Sequence, residues 1–255
     1  MISKNQIKYV HQLELKKFRK QEGLFIAEGH KVVGDLLHEG FMPRQIFATQ
    51  EWITDNPSLL PIINSQLIEV DLEELTRLSL LQHPQQVLAL FPIPGEQTSF
   101  SSQNSLSLLL DNVQDPGNLG TIIRIADWFG IDTIYCSIGT VDAWNPKVVQ
   151  ATMGSIARVH IIYVDPQQLF DCLPDDFPVY GTFLEGDNIY TQQLTQHGII
   201  VMGNEGNGIS DAVRHRVTRK LLIPDFHKGD TADSLNVAIA TAITCSEFRR
   251  RKLLT

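Results

Sequence analysis

Six short, almost wholly apolar runs are spaced along the C-terminal part of the chain, and they constrain the fold more than any other feature. Helical segments fit between most of them. Strands that are apolar throughout are typical of a parallel sheet covered by helices on both faces. We therefore predict an α/β domain over residues 105–255 with a mainly parallel sheet, whose strands are Leu106–Leu110, Thr133–Ser137, Val159–Val164, Val179–Leu184, Ile199–Gly203 and Lys220–Ile223.

A smaller α/β domain is predicted for residues 1–92, where strands and helices also alternate behind a basic helix at about residues 3–20. Residues 93–104 are rich in proline, glycine and serine and have no apolar periodicity, so we expect a linker there. A length of 255 residues is sufficient for two domains, each with its own core.

The composition indicates a protein that works in the cytoplasm. No run of about 18 apolar residues is present to span a membrane, and the charged N-terminus has no apolar segment typical of a signal peptide. Cys136, Cys172 and Cys245 form no CxxC pair, which argues against a disulfide framework and a zinc ribbon. The eight histidines show no metal-ligand spacing, so we expect no metal.

The net charge of −8 and the pI near 5.4 argue against indiscriminate nucleic-acid binding, which needs clustered lysine and arginine. RNA binding would therefore depend on local basic patches. One candidate patch comprises Lys4, Lys8, Lys16, Lys17, Arg19 and Lys20. A second comprises Arg214, Arg216, Arg219 and Lys220. For either set, an ordinary solvated helix face is the alternative.

Three segments of the C-terminal domain repeat the order strand, polar loop, helix. In the first, a buried strand runs into a Pro-Gly turn, and Asn118 stands where a helix N-cap is expected. Arg124 follows among apolar helix neighbours, which suggests that it reaches a pocket or a phosphate. An arginine that snorkels to the surface is the alternative.

The second segment runs from a strand into a loop that contains Gly203, Gly206 and Gly208, where the backbone can approach a ligand closely. This spacing is neither the dinucleotide fingerprint nor a Walker loop. In the third segment, Ser234 and Asn236 stand at a helix start. Since open α/β sheets bind ligands at the carboxyl ends of their strands, we predict a ligand site at this edge.

Together, the three segments resemble the SpoU/TrmH branch of the SPOUT superfamily of RNA methyltransferases, over about residues 106–248. The stretch Phe25–Lys31 and the basic helix before it resemble the small substrate-binding domain of many members, which is similar in fold to a group of RNA-binding ribosomal proteins. The resemblance implies a C-terminal domain tied in a trefoil knot, which is an exception to the usual absence of knots. It also implies a homodimer with composite active sites and S-adenosylmethionine as the cofactor.

The resemblance assigns roles to two sets of residues. The functional polar positions are Asn118, Arg124, Glu205, Ser234 and Asn236. The expected cofactor-binding residues are Thr182, Leu184, Gly203, Asn204, Gly206, Ile223, Leu235 and Val237. The sequence departs from the commonest family pattern at Asp225, where a methionine often follows the Ile-Pro pair, and in the length of the loop Asp225–Ala232. Both departures concern the cofactor rim.

The implied reaction is methylation of a ribose 2′-hydroxyl in RNA. A separate N-terminal domain favours ribosomal RNA over transfer RNA. Arg124 has two possible roles: a guanidinium whose pKa is depressed enough to act as a base, or a charged group that binds phosphate or the developing oxyanion. The alternatives from other classes are a non-catalytic RNA-binding protein with this fold and a nucleotide-dependent oxidoreductase. The second is disfavoured because no strand is followed by GxGxxG with an acidic residue about 20 positions later.

Overall fold

The computed structural model describes residues 2–95, 104–227 and 234–252, without the side chains of residues 251 and 252. Residues 96–103 of the predicted linker and 228–232 of the predicted cofactor-rim loop lie outside the described residues. By its contacts, the chain divides into two compact units: Met1–Gly95 with Asp142–Arg158, and Glu96–Val141 with Val159–Thr255. The segment Asp142–Arg158, which the sequence assigned to the C-terminal domain, therefore groups with the first unit.

The secondary structure is numbered in chain order. The strands are β1 (Leu24–Glu28), β2 (Gln45–Ala48), β3 (Leu67–Glu69), β4 (Val87–Pro92), β5 (Leu106–Leu110), β6 (Thr133–Cys136), β7 (His160–Tyr163), β8 (Val179–Asn188), β9 (Gly198–Met202) and β10 (Arg219–Leu222). The helices are α1 (Lys4–Gln12), α2 (Lys16–Glu22), α3 (His30–His38), α4 (Gln50–Asp55), α5 (Leu60–Ile63), α6 (Leu72–Leu78), α7 (Pro116–Trp128), α8 (Pro146–Ala151), α9 (Pro166–Asp171), α10 (Asp211–Arg214) and α11 (Val237–Lys252). A 3₁₀ helix spans Ser155–Ala157.

In the first unit, the described residues form a four-stranded sheet in the order β1-β4-β2-β3. Strand β4 is antiparallel to both neighbours, and β3 is parallel to β2. The side chains of β1 are all buried, and the Phe25 ring lies 4.7 Å from the ring of Trp144, which precedes α8. The segment Asp142–Arg158 therefore adds to the core of this unit.

The basic N-terminal region forms two helices, α1 and α2, so the prediction of one helix at about residues 3–20 was wrong. The reason is Arg19, whose Nη1 donates to the carbonyl oxygens of Leu13 (2.9 Å) and Glu14 (2.6 Å). These carbonyls lie at the break between the helices. Arg19 is 1% exposed and its Nη2 lies 2.6 Å from Asp142 Oδ2. It is therefore a structural residue and does not belong to an exposed basic patch.

The Phe25–Lys31 motif also has a structural explanation in the first unit. Glu28 is buried at the end of β1 and accepts hydrogen bonds from the Ser79 hydroxyl and the Leu80 N–H. Burial raises the pKa of Glu28, although both donors act in the opposite direction. Gly29 has a φ of 89° and precedes α3, where a side chain would be strained.

In the second unit, the described residues form a six-stranded sheet in the order β10-β8-β9-β5-β6-β7, and every pair in it is parallel. The predicted parallel sheet is confirmed. The central strands β5 and β9 are wholly buried, as expected for strands covered on both faces. The predicted strand ends are correct within one residue except in β8, which continues to Asn188 instead of ending at Leu184. No helix in the described part of the chain is long and apolar enough to cross a membrane.

Candidate functional site

A cavity of about 600 Å³ opens in the second unit beside the middle of β8 and the ends of β9 and β10. All of the residues predicted to bind the cofactor line it, as do Glu205, Ser234 and Asn236 of the predicted polar set. Nine further lining residues are not among the predicted site residues: Phe183, Glu185, Met202, Asn207, Gly208, Ile209, Arg214, Leu222 and Ala240. The sequence offers a signal for the first two, since they neighbour Thr182 and Leu184 on one strand.

The first wall of the cavity is an excursion of β8 that breaks its pairing with β10. Lys220 pairs with Gly181 and Leu221 pairs with Asp187, so residues 182–186 leave the ladder between them. The excursion ends at Gly186, where a Cβ atom would lie 3.0 Å from the backbone of Lys220 and Leu221. It leaves the side chain of Leu184 72% exposed. A large apolar side chain is thus available to a ligand at this wall.

The second wall is the glycine-rich loop after β9. Asn204 and Gly208 exchange backbone hydrogen bonds of 2.9 Å, and Asn204 Oδ1 accepts the N–H groups of Gly206 (2.9 Å) and Asn207 (3.0 Å). At Gly203, a Cβ atom would lie 2.3 Å from the carbonyl carbon of Gly208. Only glycine fits at this position without moving the loop.

Glu205 connects this loop to the loop before α7. Its Oε1 accepts hydrogen bonds from the Asp115 N–H (3.1 Å) and from Asn118 Nδ2 (3.0 Å), and its Oε2 accepts one from the Gln114 N–H (3.2 Å). Burial alone would raise the pKa of Glu205, but these donors stabilise the carboxylate and the pKa lies below its usual value. Glu205 is therefore an anionic acceptor that fixes two loops together.

Asn118 connects the same network to the third segment. Asn236 Nδ2 donates to Asn118 Oδ1 at 2.9 Å, and Asn236 Oδ1 accepts the Ala238 N–H at 2.9 Å at the start of α11. The expectation that Asn118 caps α7 was wrong, since Asp115 Oδ1 accepts the Asn118 N–H at 2.8 Å. Because Asp115 caps the helix, the Asn118 side chain can bridge Glu205 and Asn236.

Arg124 and Ser234 do not join this network. Both side chains are exposed, and neither has a hydrogen bond or ion pair with another described residue. Arg124 lies on α7, and Ser234 lines the cavity. The structure thus brings together Asn118, Glu205 and Asn236, whereas no hydrogen bond joins the side chains of Asn118 and Arg124 among the described residues.

Asp111 is a further residue of the site to which the sequence reasoning gave no role. It is 2% exposed at the end of β5, and its Oδ2 accepts the Ser210 N–H at 2.7 Å. Its Oδ1 accepts Asn112 Nδ2 at 2.9 Å, and the Asn112 carbonyl accepts Asn204 Nδ2 at 2.7 Å. The signal available in the sequence was a carboxylate directly after an apolar strand. Asp111 positions both ends of the glycine-rich loop.

Within the described residues, no group of three or more His, Cys, Asp or Glu could hold a metal ion. The arrangement consists of three loops joined by side-chain hydrogen bonds around one cavity. It can hold a small molecule among glycine backbone and apolar side chains, and it presents an exposed guanidinium on a nearby helix.

Comparison with known proteins identifies both parts of the chain. Residues 105–246 match the SpoU rRNA Methylase family, and residues 4–89 match the MRM3-like substrate binding domain. The 23S rRNA (guanosine(2553)-2′-O)-methyltransferase RlmP of Bacillus subtilis is 32% identical over 97% of this chain and 97% of its own length.

Solved structures agree with these matches. A protein described as an RNA methyltransferase of the TrmH family from Porphyromonas gingivalis has a TM-score of 0.87 at 40% identity, covering 98% of this chain and 99% of that one. An AdoMet-bound rRNA methyltransferase from Sinorhizobium meliloti has a TM-score of 0.87 at 27% identity, covering 98% and 96%. These matches confirm the predicted fold class. The chain belongs to the SpoU rRNA methylase family, with a substrate-binding domain before the methylase domain.

Proposed function

We propose that this protein transfers a methyl group from S-adenosylmethionine to a ribose 2′-hydroxyl of large-subunit ribosomal RNA. The observation that carries the proposal is the hydrogen-bonded bridge Glu205–Asn118–Asn236, which joins all three segments beside the 600 Å³ cavity. The names of the relatives support the same activity, since the Bacillus subtilis protein is a 23S rRNA 2′-O-methyltransferase.

The cavity fits the cofactor in size and chemistry. Ligand pockets typically enclose about 300–1,000 Å³ and combine apolar walls with a few polar groups. Leu184 and Leu235 are 72% and 50% exposed at the cavity and could cover an adenine ring. Gly203, Asn204 and Gly206 would hold polar parts of the cofactor through the backbone. Thr182, Ile223 and Val237 would complete the contact surface. When bound, S-adenosylmethionine supplies an activated methyl carbon.

The residues of the chain would mainly position the ribose and stabilise charge, since effective positioning lowers the barrier by several kcal/mol. Glu205, Asn118 and Asn236 would hold the start of α7 at a fixed place. Arg124, on the same helix, would bind a phosphate or the developing oxyanion as a charged group, while the proton leaves to water. We favour this charged role because a guanidinium is a poor base. Ser234 would shape the third loop and contact the substrate.

We further infer a homodimer that acts in the cytoplasm. Helices α7 and α11 pack together and expose apolar side chains, among them Trp128 (85%) and Ile239 (53%). Exposed apolar side chains of this size are typical of protein interfaces. Light scattering on the parent protein and on Trp128→Glu tests the dimer, because a charge in the interface should yield monomers. A parent protein that is already monomeric would contradict it.

Calorimetric titration with S-adenosylmethionine and its demethylated product tests the cofactor. The parent should bind both, and Gly203→Trp should bind neither because the added side chain displaces the loop. If a folded parent does not bind the cofactor even with RNA present, the protein is an RNA-binding member that has lost the reaction. Transfer RNA is the alternative substrate, and methylation of transfer RNA without methylation of ribosomal RNA would select it.

A further inference from the structure

Two exposed cations share one aromatic ring at the border of the cavity. We propose that Arg214 and Lys220 bind the phosphate backbone of the substrate RNA beside the cavity, and that Phe183 holds both side chains in position. The proposal rests on the proposed function, because it assigns a contact surface for the same RNA. It divides the basic set that the sequence suggested into two functional cations and two structural ones.

The geometry places both cations over the Phe183 ring. Arg214 Cζ lies 4.6 Å from the ring centroid, and Lys220 Nζ lies 5.6 Å from it. Both distances fall within the range of about 6 Å in which a cation is attracted to an aromatic face. The ring belongs to the β8 excursion that ends against the backbone of Lys220. The same bulge that forms the cavity wall therefore brings the three side chains together.

The hydrogen-bond donors of both cations remain available. A guanidinium that stacks on a ring uses its face, while its N–H groups point outward in the plane and can bind a phosphate in a bidentate manner. The side chains of Arg214 and Lys220 have no hydrogen bond or ion pair within the part of the chain that the structure describes. The ring limits the motion of Arg214 without using its donors, so less conformational entropy is lost when an anion binds.

The other two cations of the set are already engaged. Arg216 Nη1 lies 2.8 Å from Asp171 Oδ1, and Arg219 Nη1 donates to the Gln193 carbonyl at 2.9 Å. Arg216 also lies over a ring, 5.3 Å from the centroid of Phe170, but its charge is neutralised. It is therefore a matched control: an arginine on an aromatic ring in the same unit, without a free charge.

The position of the pair indicates RNA as the anion. Arg214 lines the cavity, whereas Lys220 is not among its lining residues, so an anion that contacts both extends beyond the cavity. A polymer with one charge per nucleotide meets this condition, and a small molecule inside the cavity does not. Glu185 also lines the cavity and adds a negative charge, so a phosphate needs both cations there. In a protein with a net charge of −8, such a local cluster is required for RNA binding.

The test measures binding of a bacterial 23S ribosomal RNA transcript over a range of salt concentrations. Arg214→Gln should weaken binding about tenfold, because a charge-assisted contact is lost. Arg214→Gln with Lys220→Gln should also reduce the salt slope by about one to two units, as expected for two lost phosphate contacts. Phe183→Leu should have an intermediate effect, and the control Arg216→Gln should stay within about twofold of the parent. Calorimetry should give the parental affinity for S-adenosylmethionine in Arg216→Gln and in Lys220→Gln, since neither of these side chains lines the cavity.

Two results would overturn this inference while leaving the proposed function intact. In the first, Arg214→Gln binds and methylates the transcript as Arg216→Gln does. In the second, Arg214→Gln loses affinity for S-adenosylmethionine, which would assign Arg214 to the cofactor. A parent protein that binds the cofactor but not the transcript would instead contradict the ribosomal RNA substrate and this surface together. Circular dichroism on each variant identifies any loss of folding, and Arg214→Lys provides a conservative second variant with an expected partial loss.

Discussion

Replacing Glu205 by alanine removes the acceptor that joins the glycine-rich loop to the start of α7. Three hydrogen bonds are lost, from the Gln114 N–H, the Asp115 N–H and Asn118 Nδ2. Glu205→Gln is a milder change. Its amide oxygen can take the place of Oε1 and keep the two donors there, but its amide nitrogen would then face the Gln114 N–H. One hydrogen bond is lost in the glutamine variant and all three in the alanine variant.

The magnitude follows from these counts. A hydrogen bond to a charged group contributes about 1.5–3 kcal/mol when shielded from water, and less at an exposed position such as Glu205. Because water can replace some of the lost hydrogen bonds, we expect the alanine variant to lose about 2 kcal/mol of loop stabilisation and the glutamine variant about 1 kcal/mol. If the whole loss destabilises the transition state through the misplacement of α7, the methylation rate drops about thirtyfold in the alanine variant and about fivefold in the glutamine variant.

Single-turnover methylation of a ribosomal RNA transcript measures the effect, with thermal unfolding as the check on folding. Asp176→Asn provides a control, since it neutralises an exposed carboxylate of the same unit. Most of the loss should appear in the single-turnover rate constant and not in the affinity for the cofactor. A rate for Glu205→Ala within twofold of the parent would refute the role of Glu205 as the link between the loops.

Three further predictions concern the site and its support. Gly203→Ala should abolish cofactor binding in calorimetry and lower the melting temperature, because the added Cβ would lie 2.3 Å from the carbonyl carbon of Gly208; parental affinity would contradict this. Arg19→Ala should reduce the free energy of unfolding in urea by about 3–5 kcal/mol, since it leaves Asp142 without its buried partner; a loss below about 1 kcal/mol would show that water replaces the guanidinium. The lowered pKa of Glu205 means that its contribution to stability is present above the unfolded pKa of about 4.3 and is lost as the pH falls through the lower folded value. The stability difference between the parent and Glu205→Gln should therefore shrink below about pH 4 and stay constant from pH 6 to 8; the opposite trend would contradict the sign.

Much of the fold could be predicted because local patterns determine it. Strands β5 and β9 are buried on both faces, and their unbroken apolar runs indicated a parallel sheet directly. The cavity-lining positions Gly203 and Ile223 could be predicted for a related reason. Polar and glycine-rich residues after parallel strands meet at one edge, so the position in the sequence indicates the position in the fold.

The features that were missed depend on contacts between residues far apart in the sequence. In the sequence, Arg19 is indistinguishable from the other basic residues of the N-terminal region. Its role as a buried structural group depends on its pairing with Asp142, which lies over a hundred residues later. The β8 excursion arises from a register shift against β10, which the period of side-chain burial does not encode. Arg214 and Arg216 likewise differ only in the fold, because Asp171 lies where it forms an ion pair with Arg216 and not with Arg214.

The measurement that tests the central claim most directly is the position of the transferred methyl group. The protein is incubated with an unmodified 23S ribosomal RNA transcript and S-adenosylmethionine labelled in its methyl group, and the RNA is then hydrolysed in alkali. Methylation of a 2′-hydroxyl blocks cleavage at the adjacent phosphodiester, so the account predicts that the label appears in an alkali-resistant dinucleotide. Label in a methylated base within mononucleotides, or no label in RNA from a protein that binds the cofactor, would contradict it.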